Sequence, residues 1–264
     1  MKADYINHYS QLNNTKDYIR SYTYAKEYYD AELQQIFKYA NKTEPALDIG
    51  SGYGYLAQYL YDNGFKSVDC VDTSKGLLDV ISTWVKPAPK LHHQDGLKFL
   101  KTTKTKYGVI TMFDLFEHFP AEQATDLARA AFDSLTDDGI LIIRTPNMAN
   151  VLGIYSKYID ITHYQCYTQF SLSQVLLDAG FDPQLIQIWE PQWKIGSAQY
   201  SAKQENDEFH RKLFQLQDRA TPKTFDKNLL MSAHKAKQDI HNPINDPKPS
   251  QKKSRKGLFG LFRK

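Results

Sequence analysis

The 264-residue sequence has only two cysteines, and it lacks any run of about 18 apolar residues. No transmembrane helix is therefore predicted, and the first residues lack the apolar segment of a secretion signal. Cys70 lies inside an apolar run, which favours a buried free thiol over a disulfide and indicates a reducing cytoplasm. Cysteines and histidines do not occur at metal-ligand spacing, so no metal site is expected.

Positive charge is scarce outside the C-terminus. Residues 248–264 carry seven Lys or Arg side chains and no acid, and without them the formal net charge falls from +3 to −4. This mildly acidic body argues against nucleic-acid binding. Two Leu and two Phe stand between basic clusters in residues 252–264, which predicts peripheral binding to an anionic membrane, at its inner face. A solvated tail or a protein-docking peptide is the alternative.

Strand and helix patterns alternate along the chain. Predicted strands cover 46–49, 67–71, 89–93, 107–112, 140–144, 184–189 and 225–233; predicted helices cover 55–63, 75–85, 97–101, 121–135, 170–179 and 198–217. This order predicts an α/β, Rossmann-like, seven-stranded and mostly parallel sheet with helices on both faces. We expect a helical cap at 1–42, the main domain at 43–237 and a flexible basic tail at 238–264. The long loop at 145–169 indicates a functional role.

A glycine-rich loop follows the first predicted strand. Residues 47–56 read Leu-Asp-Ile-Gly-Ser-Gly-Tyr-Gly-Tyr-Leu, and such a strand–loop–helix can hold a nucleoside-bearing cofactor. The glycines are spaced G-x-G-x-G, whereas a dinucleotide fingerprint is G-x-G-x-x-G. An acid before the loop suits a sulfonium cofactor with a free amino group better than a pyrophosphate. The predicted loop residues are Asp48, Gly50, Ser51, Gly52 and Tyr53; a nicotinamide dehydrogenase or an unliganded turn is the alternative.

This segment resembles the first motif of the class I S-adenosylmethionine-dependent methyltransferases, which implies S-adenosylmethionine as cofactor. Asp72 ends the second strand, where a carboxylate can accept both ribose hydroxyls, although it could be a solvated turn acid. Asp95 follows the third strand, and the resemblance implies a place near the adenine; a helix N-cap is equally consistent. Asp114 begins a D-x-x-E-H segment, and the resemblance implies that it lines the methionine end of the cofactor.

The resemblance narrows along residues 144–181. The motifs T-P-N at 145–147, D-x-T-H at 160–163 and A-G-F at 179–181 are similar to bacterial methyltransferases found with polysaccharide or lipid-linked glycan assembly. The resemblance covers about 44–190 and 225–235, and it implies a small-molecule or glycan acceptor. No N-P-P-Y or D-P-P-Y segment follows the fourth strand, which favours an oxygen acceptor. We therefore expect methylation of a sugar or glycan-related hydroxyl.

Two histidines are candidates for the general base. His163 lies on the long loop with Asp160 three residues before it, and a histidine oriented by a carboxylate commonly deprotonates a hydroxyl. His118 is the rival base, and His163 could instead only tie the loop down. Two other functions stay open: O-methylation of a small aromatic or quinone precursor, and a non-catalytic cofactor-binding module in a membrane assembly. The sequence does not define the oligomeric state.

Overall fold

Short apolar segments form the centre of the sheet in the computed structural model, which describes residues 15–236 and their side chains from residue 18. The strands are β1 Ala46–Ile49, β2 Val68–Asp72, β3 Lys90–His93, β4 Tyr107–Phe113, β5 Leu135–Pro146, β6 Ile186–Trp189 and β7 Asn228–His234. The helices are α1 Thr15–Leu33, α2 Tyr55–Asp62, α3 Lys75–Trp84, α4 Gly96–Thr102, α5 Ala121–Ser134, α6 Gly153–Tyr158, α7 Gln169–Ala179 and α8 Ala198–Leu216.

The described residues contain one seven-stranded sheet with the order β3-β2-β1-β4-β5-β7-β6. The strands β1 to β5 pair in parallel, and β7 runs antiparallel to both β5 and β6. The predicted α/β, Rossmann-like fold is confirmed. Ligands of such folds bind outside the carboxyl ends of the parallel strands, so the loops after β1, β2, β4 and β5 define where a site can form.

Successive side chains along the strands point to opposite faces of the sheet, so each face contributes to its own hydrophobic core. On one face Leu47, Ile110 and Leu141 pack with α4, α5 and α7, and on the other face their neighbours pack with α1, α2 and α3. A parallel strand buried on both faces is apolar nearly throughout, which explains the apolar β1 and β4. The helix α1 joins the second core through Tyr22, Tyr29 and other residues.

The segment between residues 135 and 169 differs most from its prediction. Strand β5 begins at Leu135 and ends at Pro146, well beyond the predicted 140–144, because Leu135 pairs with Tyr107 across a register shift in β4. The predicted loop 145–169 contains the short helix α6. The last strand begins at Asn228, not at residue 225, and β6 begins at Ile186 after a 3₁₀ turn.

Some sequence predictions fall outside the described residues. The whole predicted tail at 238–264 lies there, including the basic segment 248–264, and the domain boundaries at 42/43 and 237/238 stay predictions. Within residues 15–236, no helix is long and apolar enough to span a bilayer. Cys70 is buried, and it and Cys166 are free thiols.

Candidate active site

The glycine loop, residues 50–54, connects β1 to α2 in a left-handed backbone conformation. Gly50, Gly52 and Gly54 have φ values of 73°, 52° and 80°, which side chains rarely adopt. A Cβ on Gly54 would lie 2.9 Å from Ile81 and Val85, so this glycine lets α2 pack against α3. Among the described residues, a Cβ on Gly52 would meet only the Gly50 carbonyl oxygen, at 4.0 Å. This part of the chain therefore leaves open space at the centre of the loop.

Two non-glycine residues of the loop fix its shape. The hydroxyl of Ser51 donates to the Asp48 carbonyl at 2.7 Å, and Ser51 is buried. The carbonyl of Tyr53 accepts from the Trp84 indole at 2.9 Å. The ring of Tyr53 lies 5.1 Å from that of Tyr18, which places the start of α1 over the loop.

Asp48 lies inside the sheet. Its carboxylate accepts a hydrogen bond from the Thr111 hydroxyl on β4 at 2.8 Å, and only 2% of the residue is exposed. Burial raises the pKa of Asp48 to about 7, with the Thr111 bond opposing the shift. Asp48 thus joins β1 to β4 at the base of the glycine loop, and its predicted cofactor role remains a prediction.

Asp72 joins the end of β2 to the glycine loop. It accepts from the backbone N–H of Gly52 at 3.0 Å and from that of Ser74 at 2.8 Å. The residue is buried, so it is not a solvated turn acid, and burial raises its pKa despite these bonds. A buried carboxylate beside open space at Gly52 fits an adenosine-bearing cofactor, because Asp72 would accept hydrogen bonds from its ribose hydroxyls.

Asp95 caps α4 by accepting from the Lys98 N–H at 2.9 Å. This establishes the N-cap alternative. The other alternative, a place near the adenine, is compatible with the cap because a carboxylate has acceptor sites to spare. It remains a prediction.

Asp114 lies at the end of β4 and is ion-paired to Arg144 of β5. It has a φ of 50°, which is uncommon for a residue other than glycine and costs about 1–3 kcal/mol. Arg144 also contacts the buried Glu32 of α1 at 3.1 Å and lies over the ring of Phe113 at 4.5 Å. Burial opposes the charge of Arg144, but Asp114 and Glu32 together raise its pKa. We call this group the Arg144 network; neither Glu32 nor Arg144 was predicted as a site residue.

A cavity of about 820 Å³ adjoins the Arg144 network. It lies between α1, the start of α6, the segment 191–193 and α8. Residues that line it include Tyr24, Tyr28, Glu32, Arg144, Asn150, Ser156, Trp193 and Asn206. Aromatic faces and a few convergent polar groups are typical of a small-molecule site.

His118 and His163 contact each other, and neither of them lines the cavity. Their ring centroids are 4.8 Å apart, and the carbonyl of Ser156, a residue that does line the cavity, accepts from Nδ1 of His163 at 2.8 Å. A carbonyl can only accept, so His163 carries its proton on Nδ1 and keeps the lone pair on Nε2. Burial lowers the pKa of His118, and His163 lowers it further.

Asp160 acts on His118 through Thr162. Its carboxylate accepts from the Thr162 hydroxyl at 2.7 Å, and the hydroxyl oxygen lies 2.8 Å from Nδ1 of His118. The Thr162 proton points to Asp160, so Nδ1 of His118 is the donor and Nε2 again keeps the lone pair. The sequence predicted that Asp160 orients His163; that role stays a prediction, while the structure shows the carboxylate directed at Thr162.

Glu117 is a buried neighbour that the sequence reasoning missed. Its carboxylate accepts from the Thr145 hydroxyl at 3.0 Å, and burial raises its pKa to about 8. The ligand-type atoms of Glu117, His118 and His163 all lie within 4.8 Å of one another. We call these three residues the histidine cluster. Its one signal in the sequence was the adjacent Glu-His pair.

Comparison with known proteins gives a family and a fold. The family described as "Methyltransferase domain" matches residues 21–186. An S-adenosylmethionine-dependent methyltransferase from Archaeoglobus fulgidus is 17% identical, with a TM-score of 0.57 over 76% of this chain and 90% of that chain. Magnesium protoporphyrin IX methyltransferase from Synechocystis, with bound SAH, is 16% identical, with a TM-score of 0.53 over 84% and 88%. No curated protein matches.

These likenesses bear on the chain at different levels. At such low identity the solved structures show the fold alone, and that fold agrees with the predicted cofactor, S-adenosylmethionine. The family match covers more than half of the sequence. The chain therefore belongs to the methyltransferase-domain family, and it is an enzyme.

Proposed function

We propose that the enzyme transfers the methyl group of S-adenosylmethionine to a hydroxyl of a sugar or another glycan-related molecule. The observation that carries this proposal is the cavity, whose lining residue Ser156 also holds His163 of the histidine cluster. Tyr24, Tyr28 and Trp193 offer ring faces, and Arg144 offers hydrogen-bond donors. A sugar ring has apolar faces and a polar rim, so this combination of side chains suits it.

The glycine loop would hold the methyl donor. The open space at Gly52 admits the nucleoside, and Asp72 at the adjacent strand end offers a buried carboxylate for the ribose hydroxyls. S-adenosylmethionine supplies a methyl group on a positively charged sulfur, which is electrophilic without help from the protein. The part left to the protein is alignment, which can lower a barrier by about 7–11 kcal/mol at best, and removal of the hydroxyl proton.

His163 is the first candidate for that proton. Its Nδ1 is fixed by Ser156, so Nε2 is left to accept the proton of an acceptor hydroxyl. The oxygen forms its bond to the methyl carbon as the carbon–sulfur bond breaks, and the sulfur leaves as a neutral thioether. His118 has the same tautomer, held through Thr162 and Asp160, and is the alternative base.

A flat aromatic or quinone hydroxyl is the second candidate acceptor. The aromatic wall of the cavity favours it, because rings gain from offset or edge-to-face contact with Tyr24, Tyr28 and Trp193. One of the structural neighbours is a magnesium protoporphyrin IX methyltransferase. The porphyrin in its name is also a large flat ring. The two candidates differ in the chemistry of the acceptor and share the same donor site.

The test is product formation with two acceptor panels, nucleotide sugars and glycans against catechols and quinols. We expect S-adenosylhomocysteine to form with a member of the sugar panel, and the rate to fall about 100-fold or more in His163→Ala, since a general base contributes about 10²–10⁴-fold. The affinity for S-adenosylmethionine should stay the same. Turnover with the aromatic panel alone would replace the sugar by the second acceptor. A large loss in His118→Ala, with His163→Ala near wild type, would transfer the base role.

We also propose peripheral attachment to the inner face of a membrane, where lipid-linked acceptors reside. Beyond the predicted tail, an apolar strip in and just after α6 supports this: Ile154, Tyr158, Ile159 and Ile161 are 63–85% exposed. Exposed apolar patches of this kind mark interaction surfaces.

Co-sedimentation with anionic vesicles tests the attachment. We expect removal of residues 248–264 to weaken it, and Ile154→Glu with Ile159→Glu to weaken it further. Leu216→Glu is the matched control, because Leu216 is 77% exposed and belongs to α8 and not to the strip. Unchanged sedimentation in the first two variants, or none in the wild type, would contradict the proposal.

A further inference from the structure

We propose that Glu117, His118 and His163 form a binding site for one divalent transition-metal ion. The sequence contains no ligand spacing for such a site, because His118 and His163 are far apart in the chain. The fold brings them together: their ligand-type atoms and that of Glu117 lie within 4.8 Å of one another. An ion with bonds of about 2.0–2.2 Å holds its ligands roughly 3–4 Å apart, so small side-chain rotations close the site.

The contacts around the two imidazoles are those of metal ligands. A ligating histidine almost always donates its other ring N–H to a carbonyl, carboxylate or similar acceptor. Here Nδ1 of His163 donates to the Ser156 carbonyl, and Nδ1 of His118 faces the Thr162 hydroxyl, which is itself bonded to Asp160. Both Nε2 lone pairs are therefore available, with both rings held in place.

The carboxylate has the surroundings that an ion would complete. Glu117 is 1% exposed, its Oε2 accepts from Thr145, and within residues 15–236 it forms no ion pair. A buried carboxylate without a cation is costly. The nearby Lys157 does not supply that cation, since its ammonium donates to the carbonyls of His163 and Tyr164 at 2.9 and 2.7 Å.

The donor set selects the class of ion. Two imidazole nitrogens and one carboxylate oxygen, with positions left open, suit Zn²⁺, Fe²⁺, Co²⁺ or Mn²⁺, whereas Mg²⁺ and Ca²⁺ prefer oxygen ligands. An open position toward the cavity would take the acceptor oxygen and make its proton easier to remove. A histidine that ligates the ion through Nε2 cannot also act as the base, so in the ion-bound enzyme the proton of the acceptor hydroxyl would leave to water. This use of the ion rests on the proposed methyl transfer, but the binding of the ion does not.

Calorimetric titration of the untagged, full-length chain with Zn²⁺ and Mn²⁺, after chelator treatment, tests the site. We expect one ion per chain, and at least about tenfold weaker binding, or ~1.4 kcal/mol, in Glu117→Gln, His118→Ala and His163→Ala. The matched control is His93→Ala, because His93 is exposed and bonded to the Thr73 carbonyl outside the cluster. In the Co²⁺-loaded chain, visible absorption bands should be lost in the same three variants and retained in the control.

Absence of binding, or binding that the three variants leave unchanged, would overturn the site. Circular dichroism of each variant separates lost ligands from lost folding, and the two partly exposed histidines provide variants that retain the buried Glu117. An ion bound to a chain that methylates no hydroxyl would keep the site and reject the proposed function. Methyl transfer that persists in a metal-free chain lacking affinity for the ion would keep the function and reject the site.

Discussion

The glycine loop and the histidine cluster lie beyond the same ends of the parallel strands, and they are assembled from different distances along the chain. In the loop, Ser51 bonds to Asp48, three residues away, and Gly52 bonds to Asp72 of the next strand. In the cluster, His118 meets the segment around Thr162, 44 residues away. Beside it, Arg144 reaches Glu32 across 112 residues.

This difference separates the two recognition tasks of the enzyme. The glycine loop takes most of its shape from one strand–loop–helix unit and the strand that follows it, so the proposed donor side depends mainly on nearby sequence. The proposed acceptor side depends on the packing of α1, β5 and α6, so it can vary between relatives that share a donor. The following predictions test this contrast, beginning with the largest expected effect.

Arg144→Met should show how far the acceptor side depends on its long-range ion pairs. Removing the guanidinium leaves Glu32 buried and unpaired, and breaking such a pair costs about 3–5 kcal/mol. Urea denaturation should show this loss in the free energy of unfolding. The double variant Glu32→Gln with Arg144→Met should recover part of it, because no buried charge is then left alone. If Arg144→Met is as stable as the wild type, the acceptor side does not depend on its long-range ion pairs and the contrast with the glycine loop is wrong.

Gly52→Val should damage the donor side alone. The new side chain would fill the open space of the loop, and we expect the affinity for S-adenosylmethionine to fall about 100-fold, or ~2.7 kcal/mol. Gly64→Val is the matched control, since Gly64 has a φ of 92° and no atom within 4 Å of a built Cβ. Calorimetry on both proteins separates backbone strain from a blocked site; equal affinities would remove the loop from cofactor binding.

His234, the last residue of β7, pairs with Ile140 of β5, at the opposite end of the strands from the candidate site. It serves as a comparison for effects within that site. It is fully buried with neither ring nitrogen hydrogen-bonded, and burial lowers its pKa to about 4. As pH falls below the usual 6.5, the unfolded chain takes up the proton first. The neutral His234 ring therefore makes its full contribution to the free energy of unfolding above pH 6.5. This contribution is lost as the pH falls toward 4.

The loss at pH 5 should be about 2 kcal/mol. The difference between the free energies of unfolding at pH 8 and at pH 5 should be smaller in His234→Leu than in the wild type. Asp48, whose raised pKa acts in the opposite direction, is present in both proteins and cancels in the comparison. An equal pH dependence in the two proteins would show that His234 does not titrate between pH 8 and pH 5.

Asp95 gives the smallest expected effect and separates its two proposed roles. Asp95→Ala should lower the free energy of unfolding by about 1 kcal/mol through loss of the N-cap. Asp95→Ser keeps a capping oxygen and should restore stability. If the carboxylate also contacts the adenine, both variants bind S-adenosylmethionine more weakly. Full affinity in Asp95→Ser would leave Asp95 as a cap only.

The same contrast of distance explains what the sequence could predict. Strands β1 and β2, the glycine loop and Asp72 follow from apolar runs and glycines within a few residues, and the mostly parallel sheet follows from the alternation of strands and helices. Glu32 carries no local sign of its partner Arg144, because ion pairs across 112 positions leave no pattern in a single sequence. The helix α6 was missed because its N-cap, Leu152, makes no side-chain cap, so the usual start signal is absent.

Spacing also suggested a partner for Asp160 that differs from the one observed. A separation of three residues favoured His163, but an Asp side chain readily bonds two residues ahead. Thr162 stands at that position, and it offers both its N–H and its hydroxyl to the carboxylate. The competing bond is as local as the predicted one, and only the three-dimensional arrangement shows that it leads to His118.

The helix α1 touches both sides of the site, through Tyr18 above the loop residue Tyr53 and through Glu32 on Arg144. We predict that a helix in contact with both parts of the site must move before either product leaves. We expect release to limit turnover, as lid opening does in many enzymes, and kcat to fall with rising solvent viscosity. The N-terminal helix would then set the pace of the reaction as well as forming part of its wall.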